Sequence, residues 1–199
     1  MTSSYSDILT RIESAIEAAQ AVFARFTPGA IETEYKIGHD PVTEADRAVD
    51  AVLRENLLRD GEGWLSEETV DSASRLDKSR VWVVDPLDGT REFVQGIPEF
   101  CVSIGFVENG RPVAGGICNP ATKQTIIGAI DCGILYNGKP ARPSQKTELK
   151  GALITLSDQM LSILLRLWYR ANRQSIRLHL QQEAPTSNIL LLLKCKGKV

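Results

Sequence analysis

The sequence predicts an α+β protein in which two helices lie against a largely antiparallel sheet. Two apolar runs at helical spacing, five short β-type runs after them and two Asn-Gly pairs carry this reading. Ile8, Ile12, Ala15, Ile16, Ala19, Phe23 and Phe26 recur every three or four residues; Ser4 and Asp7 stand where a cap belongs, and Pro28-Gly29 stops the run. A second helix is predicted from Thr43-x-x-Asp46 at its start, from Ala45, Val49, Val52, Leu53 and Leu57 as its buried stripe, and from Asp60-Gly61 at its end. Strands follow at 63–66, 81–84, 101–107, 112–118 and 124–129. Asn109-Gly110 and Asn137-Gly138 read as hairpin turns, because both central residues of a type I′ turn need positive φ.

With 199 residues and 43% hydrophobic content, the chain can bury one ordinary core, or one core and part of a second. Its 23 Lys+Arg against 25 Asp+Glu leave a net charge of −2, so bulk electrostatics call for neither a nucleic acid polymer nor an anionic membrane. Two histidines and no G-x-S-x-G segment weigh against a Ser-His-Asp hydrolase and a His-ligated zinc enzyme, leaving carboxylates to carry any hydrolytic chemistry. Cys101, Cys118, Cys132 and Cys195 form no C-x-x-C pair and read as reduced thiols. No stretch reaches the roughly 18 apolar residues of a membrane span, and the N-terminus lacks an apolar targeting segment, so a cytoplasmic location is expected.

Composition changes near Ser157, which divides the chain into a domain at 1–156 and a tail at 157–199. The tail holds seven Lys/Arg against two Asp/Glu and is rich in Leu. Leu161, Leu164, Leu165 and Trp168 at helical spacing, with Arg166, Arg170, Arg173 and Arg177 beside them, fit an amphipathic helix. The abrupt change in composition points instead to a truncated or out-of-frame C-terminus. Gly133-x-x-x-x-Gly138-Lys139 has phosphate-loop spacing, but Pro140 replaces the final Ser/Thr and the Asn137-Gly138 turn breaks the strand-to-helix context.

The chemistry concentrates where the strand Trp82-Val83-Val84 runs into Asp85-Pro86-Leu87-Asp88-Gly89-Thr90. Pro86 fixes one φ and Gly89 permits a tight turn, so the Asp85 and Asp88 side chains and the Leu87 carbonyl can converge. Such an all-oxygen cluster suits Mg²⁺. Asp-Pro and Asp-Gly are also favourable turn dipeptides in their own right. Two further acidic segments stand upstream, Ser66-Glu67-Glu68 at a strand end and Asp40 to Asp46 at a helix start. Thr90-Arg91-Glu92-Phe93-Val94 reads as a short helix with Thr90 near its N-cap, leaving the Gly89 and Thr90 amides free to bind phosphate. Metal ligands, an anion cradle and a hydroxyl to orient water are the minimum apparatus for hydrolysing a phosphate monoester.

Asp40-x-Val-Thr-x-x-Asp46, Ser66-Glu67-Glu68 and Asp85-Pro-Leu-Asp-Gly-Thr90, in this order and spacing, resemble the signatures of the inositol monophosphatase superfamily, from the first helix to about Ala152. The resemblance implies an α/β layered sandwich whose first half is the helix pair on a largely antiparallel sheet. It implies that Glu67, Asp85 and the Leu87 carbonyl hold one Mg²⁺, that Asp85 and Asp88 hold a second, and that two or three ions act together. Thr90 and Glu67 would orient the attacking water with Asp46 hydrogen-bonded near Thr90, Gly89 and Thr90 would bind phosphate, and Lys36 matches a basic residue near the metals. The implied substrate is a small phosphorylated metabolite, and a homodimer is common in the family. Gly89-Thr-Arg-Glu-Phe93 is closer to the bisphosphate nucleotidases, which favours 3'-phosphoadenosine 5'-phosphate, with inositol 1-phosphate as the alternative. A further family aspartate, in a W-D-x-A helix start, has no counterpart here, since Tyr169 follows Trp168. The second metal site is therefore expected to be incomplete, the second α/β subdomain mostly missing, and a catalytically impaired remnant or regulatory module is the competing reading.

Overall fold

Apolar periodicity and turn chemistry translate directly into the elements seen in a computed structural model, which describes residues 5–31, 33–35, 41–143, 145, 147, 154–155, 179–181 and 190–192. The chain divides into two units, Met1–Arg142 and Pro143–Val199. The first contains α1 (Ser6–Phe23), β1 (Thr33–Tyr35), β2 (Pro41–Thr43), α2 (Glu44–Leu57), β3 (Gly63–Ser66), a 3-10 turn (Ala73–Asp77), β4 (Arg80–Asp88), α3 (Thr90–Gln95), β5 (Cys101–Glu108), β6 (Arg111–Asn119), β7 (Gln124–Ala129), β8 (Gly133–Tyr136) and β9 (Lys139–Ala141). In the second unit, β10 (Ile154–Thr155), β11 (His179–Gln181) and β12 (Leu190–Leu192) form an antiparallel sheet in the order β10-β12-β11. The helix expected from Leu161 onward lies outside the described residues. Among the described residues no helix is long and apolar enough to cross a membrane.

The main sheet runs β3-β4-β5-β6-β7-β8-β9, and only β3 and β4 are parallel. A meander of hairpins needs only short turns. Asn109 (φ 51°) with Gly110 (φ 76°), and Asn137 (φ 48°) with Gly138 (φ 74°), supply the paired left-handed residues expected of them. Alternation along the strands then sends Trp82, Val84, Val102, Ile104, Phe106 and Ile127 to one face, where the stripe of α1 (Ile8, Ile12, Ala15, Ala19) and that of α2 (Val49, Leu53, Leu57) cover them. Gly116 makes the approach of α1 feasible, since a Cβ there would stand 2.5 Å from Ile12 Cγ2. Phe23, Phe93 and Phe100 close one end with ring centroids 4.9 to 5.8 Å apart.

Arg11 ties three elements together. From α1 it donates to the Glu62 carboxylate and to the Leu57 carbonyl at the end of α2, while Trp82 Nε1 on β4 donates to Glu62 Oε2 at 2.8 Å. The Arg11 guanidinium also lies 5.0 Å from the Trp82 ring centroid. Burial alone pushes the Glu62 carboxyl upward, but the hydrogen bonds from Arg11 and Trp82 outweigh it and hold the carboxyl below its ordinary range.

Three differences from the sequence reading have physical causes. Helix α1 ends at Phe23, and the chain continues through i→i+3 bonds from Arg25 to Val22 and from Phe26 to Phe23, which keep Phe26 against the core without extending the helix. No side chain caps the start of α1: its N-cap is Tyr5, and Ser4 lies outside the described residues. Strand β4 continues to Asp88, because Asp85 still pairs with Ser103 and Asp88 with Cys101, while the ladder bulges between them at Pro86, which has no N–H to give.

Candidate metal and phosphate site

Thr43 is the N-cap of helix α2: its backbone is extended (φ −122°), and its Oγ1 accepts the Ala45 N–H at 3.2 Å. Asp46 completes a capping box, its Oδ2 accepting from the Thr43 N–H at 2.7 Å and the Thr43 hydroxyl at 2.6 Å. Asp46 is only 1% exposed, and its other oxygen, Oδ1, lies 3.1 Å from Thr90 Oγ1. Thr90 Oγ1 is also 2.9 Å from the Leu87 carbonyl oxygen. A hydroxyl has one proton, so it serves one of these acceptors at a time.

One helical turn further, Asp50 accepts from the Ser66 hydroxyl through Oδ1 and from the Thr69 hydroxyl through Oδ2, the latter at 2.8 Å. Ser66 Oγ in turn accepts the Glu68 N–H at 3.2 Å. Sequence reasoning did not single out Asp50. The available signal was its spacing, four residues after Asp46 and therefore on the same helix face.

The parallel register of β3 and β4 places Ser66 beside Val84, and Glu67 N–H continues the ladder by donating to the Val84 carbonyl at 3.3 Å. Glu67 is thus brought level with Asp85, and their side chains are hydrogen-bonded. Burial first, and then the neighbouring carboxylates Glu67 and Asp88, push the Asp85 carboxyl up to about 7, against the stabilising Leu87 N–H at 3.2 Å from Oδ1. Two carboxyl groups in contact share a proton when no cation lies between them. A hard divalent cation meets the same demand, and Mg²⁺ needs only one or two carboxylates because it retains several waters. The donor chemistry of Glu67, Asp85 and the Leu87 carbonyl fits such an ion. Among the described residues, however, no three acidic, His or Cys side chains are gathered closely enough to hold a metal by themselves. Asp88 is exposed, and the Cys101 thiol donates to its Oδ2 at 3.8 Å. Burial and then the Asp88 and Asp85 carboxylates push that thiol up to about 11, so Cys101 stays neutral here.

The turn into α3 puts Thr90 beside the N-cap, as expected. Gly89 is the N-cap, because its backbone is left-handed (φ 92°) and a Cβ there would stand 2.7 Å from the Glu99 carbonyl oxygen. Thr90 becomes the first helical residue, and its hydroxyl is directed to Asp46 and Leu87 instead of to the helix end. Lys36 and Asp40 lie outside the described residues. A cleft of about 830 Å³ opens elsewhere, beside α1, and is lined by Glu13, Glu17, Phe93, Phe100, Lys123 and Asn137, none of them among these acids.

The sequence pattern of the Inositol monophosphatase family matches residues 5–166. Inositol monophosphatase 2 of Solanum lycopersicum is 34% identical over 151 residues, 72% of this chain and 57% of that protein. Histidinol-phosphatase of Mycobacterium tuberculosis is 34% identical over 162 residues, 78% of this chain and 62% of that protein. Among solved structures, inositol monophosphatase from Anabaena superposes with a TM-score of 0.64 at 31% identity, covering 75% of this chain and 54% of its own. The chain therefore spans little more than half the length of the relatives it matches.

Proposed function

Because the chain belongs to the inositol monophosphatase family, we propose that it hydrolyses the phosphate monoester of a small metabolite with the help of divalent cations. The observation that carries this reading is the contact between Glu67 and Asp85 at the paired ends of β3 and β4, with the Thr90 hydroxyl held between Asp46 and Leu87 on the adjoining turn. Glu67, Asp85 and the Leu87 carbonyl would hold one Mg²⁺, and Asp85 with Asp88 would contribute to holding a second. Bound Mg²⁺ supplies positive charge to the phosphate oxygens and makes water a better nucleophile. Asp46 draws the Thr90 proton toward itself, which turns an Oγ1 lone pair outward to accept from the attacking water. Glu67 accepts a second hydrogen of that water, so two fixed acceptors define its direction of attack. The Gly89-Thr90 turn receives the phosphate.

The names of the relatives, which include inositol monophosphatases and a histidinol-phosphatase, favour a small polar alcohol as leaving group. Gly89-Thr90-Arg91-Glu92-Phe93 favours a second reading, a bisphosphate nucleotide such as 3'-phosphoadenosine 5'-phosphate, in which Arg91 at the start of α3 meets the additional phosphate.

The test is release of inorganic phosphate from inositol 1-phosphate, histidinol phosphate and 3'-phosphoadenosine 5'-phosphate, with Mg²⁺ and with EDTA, beside Asp85→Asn. Release that requires both Mg²⁺ and Asp85 supports the reaction, and the ranking decides between the two substrate readings. A folded chain that releases phosphate from none of them sinks the proposal in favour of a non-catalytic role for the same fold.

A further inference from the structure

Helix α2 presents two carboxylates one turn apart, and they address different arms of the site. Asp46 receives Thr90, from the turn that follows β4. Asp50 receives the hydroxyls of Ser66 and Thr69, which flank Glu67 and Glu68 after β3. Each Asp50 oxygen takes one hydroxyl, so the four-residue segment is held at its first and last side chains by a single carboxylate. Its interior is fixed as well: the Glu67 N–H bonds to the Val84 carbonyl at 3.3 Å and the Glu68 N–H to Ser66 Oγ at 3.2 Å. Ser66 is 6% exposed, so its hydroxyl has little water with which to exchange Asp50. A segment restrained in this way has few conformations in which Glu67 can swing away from Asp85.

We propose that Asp50 is a positioning residue: by clamping Ser66 and Thr69 it holds Glu67 against Asp85, and so presets the spacing at which the two carboxylates take a divalent cation. This rests on reading Glu67 and Asp85 as metal ligands. Asp50 touches neither the metal nor the substrate and acts through Glu67, as partners that orient a ligand do elsewhere. In this arrangement α2 serves both arms, with Asp46 aligning the hydroxyl that directs water and Asp50 aligning the carboxylate.

The role is tested on the full 199-residue chain by titrating Mn²⁺ and following the free ion by electron paramagnetic resonance. Asp50→Asn is expected to weaken binding about tenfold or more, and Ser66→Ala with Thr69→Val to do the same while leaving α2 unaltered. Because Asp50 acts through Glu67, the double variant Asp50→Asn/Glu67→Gln should bind no more weakly than Glu67→Gln alone. Amide hydrogen exchange on the metal-free protein supplies a readout free of metal: in Asp50→Asn the amides of Glu67, Glu68 and Thr69 should exchange faster, with those of α2 and β4 unchanged. Binding within twofold of the parent in a folded Asp50→Asn chain overturns the proposal, as do additive losses in the double variant or an unchanged exchange pattern. A parent chain that binds Mn²⁺ but releases no phosphate refutes only the reaction, whereas a parent that binds no Mn²⁺ refutes the metal site and the role of Asp50 together.

Discussion

Asp46 accepts three hydrogen bonds while almost wholly buried, and two of them belong to the start of α2 and the third to Thr90. Asp46 thus serves the helix start and, in the proposed reaction, the Thr90 hydroxyl, and substitutions separate the two roles. Asp46→Ala strips the capping box and strands the Thr43 N–H and hydroxyl in the interior, which should lower stability by about 1–3 kcal/mol in urea denaturation. Thr90→Val keeps the volume and loses only the hydroxyl; stability should fall by about 1 kcal/mol, while Mg²⁺-dependent phosphate release drops about 100-fold. Equal losses in the two properties would remove Thr90 from the chemistry. Asp85 makes the opposite trade, since it crowds against Glu67 and Asp88 when no cation is present. Asp85→Asn should leave the metal-free chain at least as stable as the parent at neutral pH. Mg²⁺ at about 100 times its dissociation constant should stabilise the parent by about 2.7 kcal/mol and the variant hardly at all, as read by thermal melting in Mg²⁺ and in EDTA.

At the level of elements, α1, the end of α2 and β4 meet at Glu62, where Arg11 and Trp82 donate to one carboxylate. Its pKa is depressed in the folded chain, so the stability this contributes is fully present above the unfolded carboxylate value and is lost as pH falls through the folded one. Glu62→Gln should accordingly flatten part of the acid limb of a stability-against-pH curve between about pH 5 and the folded value. Glu62→Ala leaves Arg11 buried without its carboxylate and should reduce stability by about 3–5 kcal/mol at pH 7; a loss below 1 kcal/mol would mean that packing, not this pair, joins the three elements. Most of these elements were legible beforehand. The capping pair Thr43/Asp46, the Asn-Gly turns and the alternation along β5 to β7 are local signals, and each appears at or within a residue or two of its expected place. What escaped depended on partners distant in sequence. The hairpin of β1 and β2 and the short strands β8 and β9 have three or four residues each, too few to show a period. The extension of β4 to Asp88 needs Cys101 opposite it.

At the scale of the molecule, the acids singled out in the sequence are recognisable because each falls at a strand end or helix start that the sequence predicts, whereas Asp50 was not, because nothing in the spacing of a helix says which loop will reach it. Among the described residues of the first unit, α1 and α2 cover one face of the seven-stranded sheet. Its ladders place Asp85, Ser103, Ile117, Ile126 and Tyr136 in one row across the other face, and Val83, Gly105, Gly115, Gly128 and Ile134 in the next. Ile117, Ile126 and Tyr136 are 41 to 48% exposed, and the site acid Asp85 begins their row. The two faces of β7 therefore predict opposite responses to one kind of change. Ile127 is 7% exposed and packs with the helices, so Ile127→Ala should reduce stability by about 2–5 kcal/mol. Ile126, the preceding residue, is 47% exposed, so Ile126→Thr should change stability by no more than about 0.5 kcal/mol and should lower light scattering at high concentration by breaking an apolar row. Chemical denaturation of the two variants decides the matter: similar losses at Ile126 and Ile127 would show that the outer row is packed in solution, and that the sheet is closed on both faces rather than one.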